Sequence, residues 1–177
     1  MNIGPAILSI IGWHAGESVE DIIERKIADI KTAGRTIWLY QSWKATIPMV
    51  QQFGRAFPKA GVVFLKGSAF PTSSALQARE MSEDRDCWGP LPQGIGKVTG
   101  RLPGGGLVIG ELIPAATDID LWSYLQHPDL CPLRFQQGAS TACAIPTDDR
   151  PVEGMKSRYR RAVAVGHLVP PYGIFLR

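Results

Sequence analysis

The chain is expected to fold as an α+β protein, with an N-terminal βαβαβ unit whose sheet is extended by antiparallel strands from the C-terminal half. Three observations predict this. Apolar runs at residues 5–11, 35–41 and 61–66 alternate with two amphipathic stretches. The connections between those runs are long enough to carry parallel neighbours, and such crossovers are right-handed almost without exception. Beyond residue 106 the apolar runs are short and separated by Pro and Gly, the punctuation of antiparallel strands.

Each element has its own reason. PAILSII (5–11) is a continuous apolar run bounded by Gly4 and Gly12, the signature of a strand buried on both faces. In 18–33, Val19, Ile22, Ile23, Ile27 and Ile30 recur at steps of 3 and 4, which makes an amphipathic helix. Ser18 with Asp21 three residues on forms a capping box, and Gly34 suits the left-handed position past the last turn. RTIWLYQ (35–41) is rich in aromatic and β-branched residues and follows as a strand. Thr46 then caps a second helix running to about Phe57, with Pro48 in its tolerant first turn and Ile47, Val50, Phe53 and Phe57 inward. GVVFLK (61–66) is the third strand.

The second half predicts a short helix over 72–82 and a loop-like connection over 83–106, where Pro90, Pro92, Pro103 and seven glycines fall. Strands are expected at 107–112, 132–135 and 140–145, and a helical turn or two at 120–126 with Asp118 or Asp120 at its start. Two final strands, 160–169 and 171–177, meet at a bend set by Pro170–Pro171. An alternative is a small, partly closed β-barrel flanked by the two helices, PUA-like in outline. The motifs carry no resemblance to a particular family.

At 177 residues the chain is expected to form one globular domain with a core large enough to need no staples. With 45% hydrophobic and 20% charged residues it has a globular composition, and a formal charge of +3 does not imply a polyanionic partner. The three cysteines, 87, 131 and 143, form no CxxC pair. No leader-like segment or membrane-length apolar run is present, so a cytoplasmic protein with reduced thiols and no membrane partner is expected.

The turn IGWHAGESVED (11–21) lies where α/β proteins hold phosphate, between first strand and first helix. It lacks GxGxxG and GxxxxGK, and Glu17, Glu20, Asp21 and Glu24 repel an anion from the helix start. Trp13 and His14 remain, placed to line a pocket at the strand's C-terminal edge for a ligand that is not strongly anionic. The glycines of RLPGGGLVIG (101–110) precede a strand and read as its flexible entry. Three scattered histidines and three cysteines show no metal-ligand spacing, and Asp118 and Asp120 read as helix caps, so neither metal nor cofactor is expected.

Function divides into three classes. The leading one is a binding module for a small polar ligand or single-stranded nucleic acid. Its candidate contacts are Trp13, His14, Trp43, Lys44, Arg158 and Arg160, since cations follow phosphates and rings stack on bases. The second is a small enzyme with Cys143 or Ser140 as nucleophile and a histidine, His14 first, as base. The third is an interaction or assembly subunit, with a homo-oligomer as one form of it, using 83–106 as a docking loop.

Overall fold

In a computed structural model of the chain, the residues described are 3–12, 14, 16–67, 75–133, 141–149 and 158–177. The N-terminal half runs β1 (Ala6–Ile11), α1 (Val19–Ala33), β2 (Thr36–Tyr40), α2 (Ile47–Ala56) and β3 (Gly61–Lys66). The short strands β4 (Leu76–Gln77), β5 (Glu80–Ser82), β6 (Gly89–Pro90) and β7 (Thr99–Gly100) follow. Then come the long β8 (Gly104–Asp120), a 3₁₀ turn at Leu121–Ser123, β9 (Tyr124–Gln126), β10 (Cys131–Pro132), β11 (Thr141–Pro146) and the long β12 (Tyr159–Leu176).

Local chemistry sets the helices. Ser18 Oγ accepts from the Asp21 N–H at 3.1 Å and the Asp21 carboxylate accepts from the Ser18 N–H at 3.2 Å, so the capping box is complete. Gly34 ends α1 at φ 73°, with its N–H on the Ile30 carbonyl at 2.8 Å. Thr46 occupies the cap position of α2, with Pro48 in the first turn.

Among the described residues the chain is a mixed α/β protein with one large, mostly antiparallel sheet and two α-helices; that sheet is not closed into a barrel. β1 and β3 pair in parallel from Ala6–Gly61 to Ile11–Lys66. β11 lies antiparallel on the other edge of β1, with β9 and β10 beyond it. On the far side β12 pairs antiparallel with β3, β8 with β12, and β2 with β8.

β2 therefore differs from expectation, since it lies beside neither β1 nor β3. Both edges of β1 are taken, by β3 and β11. β2 faces that layer across the core, its Trp38 ring set edge-on to Phe64 at 4.9 Å between centroids. The glycines at 104–106 are not a flexible entry but the first residues of β8. A Cβ on Gly106 would stand 2.9 Å from both the Ile37 and Leu176 side chains, so its bareness permits three strands to meet there.

Other expectations also shift. Over 72–82 the described residues form β4 and β5, not a helix, because Ala78 is buried and the Arg79 and Glu80 N–H groups bond the Arg177 carbonyl. The 3₁₀ turn replaces the front of the helix expected at 120–126, capped by Asp120 at 3.1 Å from the Trp122 N–H, and strand β9 follows. Pro170–Pro171 does not divide two strands; β12 continues through it with a register shift between Leu168 and Gly173. Residues 134–135, where a strand was expected to end, lie outside the described residues.

Three apolar clusters hold these parts together. One, between the sheet and both helices, joins Ile7, Ile11, Ile22, Phe53, Phe64 and Leu107. A second covers the other face of β1 and β3 with Leu121, Tyr124 and Leu133. The third packs Val98, Leu91 and Ile95 from the Pro/Gly-rich connection on Ile37, Val108, Ile174 and Leu176. That connection is a cover on the sheet. No described helix is long and apolar enough to cross a membrane.

Candidate functional site

β2 faces β1 across the core instead of lying beside it, and the C-terminal halves of both strands border one space. A cavity of about 330 Å³ opens there, at the low end of the range for small-molecule sites. Its floor is the end of β1 with the start of β11, one wall is Trp38–Gln41, another the first turns of α1, and the last is the strap 97–101.

The floor is polar and buried. Ser9 Oγ and Thr141 Oγ1 stand 2.7 Å apart, each side chain almost wholly inaccessible. The Trp38 indole N–H donates to Ser9 Oγ at 3.2 Å, and the Ser42 hydroxyl donates to the Thr141 carbonyl at 2.6 Å. Ile10, Ile22, Leu39, Tyr40 and Val98 supply the apolar surface above.

The strap is held by α1. Arg25 and Lys26 both donate to the Lys97 carbonyl, and the Gly96 N–H donates to Asp29 Oδ1 at 2.8 Å. Lys26 also donates to the Ile37 carbonyl at 2.6 Å and faces Asp29 Oδ2 at 3.7 Å, while Asp29 accepts from the Thr36 hydroxyl at 2.7 Å. Burial pushes the Lys26 ammonium down to about 8, although Asp29 favours its charge. Lys26 and Asp29 occupy stripe positions of α1 beside Ile22, Ile23 and Ile30; two charges on an apolar stripe were the sequence signal of a buried pair.

His14 lines the cavity, as the sequence suggested, and its ring bonds the Thr99 carbonyl. Its Nε2 is buried and has no hydrogen-bond partner among the described residues. Burial holds its pKa below the usual histidine value, and the nearby Lys97 and Arg25 act in the same direction. The imidazole is thus neutral, with Nε2 as an acceptor.

The charge around the cavity is set by residues the sequence did not bring together. Glu17 is engaged by Arg25 at 2.8 Å and by Lys97 at 3.5 Å. Arg25, Lys26, Lys97 and Arg101 all line the cavity, against the two carboxylates Glu17 and Asp29 behind them. Glu20, Asp21 and Glu24 are outside the lining. Lys97 and Arg101 lie more than 80 positions from His14, and only the folding of the strap onto α1 unites them.

The remaining predicted residues fall elsewhere. Trp13 and Ser140 lie outside the described residues. Cys143 is buried in the helix-side core opposite Ile7, and burial pushes its thiol up to about 12; no histidine ring bonds it among the described residues. Trp43 is 75% exposed and carries the Lys44 ammonium 5.3 Å from its ring centre. Lys44 is itself buried, which lowers its pKa, and the charge of Arg158 lowers it further. Trp43 and Lys44 thus meet, with the charge of Arg158 acting on Lys44, whereas Arg160 sits on β12 opposite Ile119. Asp118 pairs with Arg161 at 3.3 Å, and among the described residues no group of three metal-ligating side chains converges. No family model, curated protein or solved structure matches this chain.

Proposed function

We propose that this chain binds a small polar ligand in the cavity between β1, β2, α1 and the strap, with an anionic group of the ligand toward Lys97 and Arg101. The observation that carries the reading is the buried Nε2 of His14, without a partner among the described residues, on a side chain that lines a cavity combining apolar walls with cationic groups. A buried polar atom without a partner costs free energy that a bound molecule offsets. The apolar anion 8-anilinonaphthalene-1-sulfonate is a direct probe, since its fluorescence rises when it leaves water. We expect saturable binding that Arg101→Glu weakens several-fold and that Arg55→Glu, a charge change on α2, leaves unaltered. No saturable binding, or equal effects of the two variants, rejects the proposal.

A second reading is supported by the exposed Trp43 ring beside Lys44, on which the charge of Arg158 acts: a contact surface for single-stranded nucleic acid. A gel shift with oligothymidylate at low salt tests it. Binding is expected to fall several-fold in Trp43→Ala and in Arg158→Ala. An unchanged shift removes this surface as the cause.

A further inference from the structure

The polar groups at the inner end of the cavity can be counted hydrogen by hydrogen. Ser9 and Thr141 have two hydroxyl hydrogens between them. One is used in their mutual 2.7 Å bond, whichever oxygen donates. The Trp38 N–H brings a further hydrogen to Ser9 Oγ and accepts nothing in return. The second hydroxyl hydrogen has no acceptor among the described residues, although both side chains are buried and both line the cavity. His14 poses the opposite case: with its other ring nitrogen on the Thr99 carbonyl, Nε2 is a lone pair without a donor. Three residues that line the cavity thus hold one donor and one acceptor left unmatched among the described residues.

We propose that the ligand is an organic acid with an apolar body whose inner end carries both an acceptor atom, for the Ser9–Thr141 hydroxyls, and a protic hydrogen, for His14 Nε2. An aryl hydroxyl or a primary carboxamide meets both requirements; an unsubstituted ring or a second carboxylate does not. This inference rests on the ligand-pocket reading above. The acidic group points outward, because the exposed Arg101 and the part-exposed Lys97 are at the mouth while the hydroxyl pair is at the floor. A carboxylate at the floor would face His14 Nε2 lone pair to lone pair, which is repulsive.

Three acids of similar shape separate the possibilities: benzoate, 4-hydroxybenzoate and 4-carbamoylbenzoate, each titrated against the protein loaded with 8-anilinonaphthalene-1-sulfonate. At least one of the two substituted acids is expected to displace the dye at a concentration about fivefold lower than benzoate, the worth of one net hydrogen bond. That advantage over benzoate, taken as the ratio measured within each variant, is expected to vanish in the Ser9→Ala plus Thr141→Val variant and in His14→Phe. The two variants alter different elements, so a folding defect in one leaves the other informative. Equal displacement by all three acids, displacement by none, or an advantage that survives both variants overturns the inference. Failure of the dye itself to bind, or its indifference to Arg101→Glu, is instead a failure of the pocket reading.

Discussion

Lys26 places an ammonium group where the stripe of α1 would otherwise be aliphatic, and three acceptors surround it: the Ile37 and Lys97 carbonyls and the Asp29 carboxylate. Removing one member of such a pair strands the other, so Lys26→Met is expected to cost roughly 3–5 kcal/mol at pH 7, measured by urea unfolding. Stability should also depend on alkaline pH in two opposed ways. The folded chain releases the Lys26 proton near 8 and the unfolded chain near 10.5, so between those values the unfolded state binds more protons and stability rises with pH. Cys143 has the reverse sign: its thiol ionises near 9.0 unfolded and about 12 folded, so stability falls over that interval. Tyr40, its phenol raised by burial, steepens the fall at the alkaline end. The urea midpoint is expected to climb from pH 8, level off between about 9 and 10, and drop above. In Lys26→Met the climb disappears while the drop remains. Ser18→Ala, which dismantles the capping box of α1, is expected to lower stability by about 1 kcal/mol at any pH where Asp21 is ionised.

Among the elements, the β8–β12 ribbon carries the most pairing, and its register depends on close approach at Gly166. A Cβ there would stand 1.9 Å from the Glu111 carbonyl oxygen, a backbone atom that cannot swing aside. Gly166→Ala is expected to cost about 3 kcal/mol or more and to lower the thermal midpoint accordingly, because relief requires separating two strands. At this scale the sequence was most legible where one local rule decides. The 3–4 spacing and Ser18–Asp21 box define α1, and the runs at 5–11 and 61–66 mark two central strands. It was least legible where a distant partner decides. Nothing local tells β2 to pair with β8, because the room for it is created by glycines almost seventy residues later. The segment 75–82 becomes strand through the carbonyl of Arg177. The candidate site followed the same division. His14 was foreseeable from its place after the first strand; Lys97, Arg101 and Thr141 were not, since each arrives by tertiary packing.

Across the molecule, β12 is the common member: it pairs with β3, β8 and β5, and Ile174 and Leu176 at its end are fully buried beneath the Pro/Gly-rich cover. Deleting residues 171–177 is therefore expected to abolish the cooperative thermal transition seen by circular dichroism, not merely to fray an end. A sharp transition in the shortened chain would show that the N-terminal half stands without that strand. The same connectivity bears on the empty space beside Trp38. With both flanks of β1 occupied, the path of the chain leaves β2 no berth next to it, and the gap between them is a consequence of route. Small residues at its base, Ser9 and Thr141, do not fill it. A guest molecule in that space would serve as the missing piece of the interior, so its loss should loosen α1, β2 and the strap in concert.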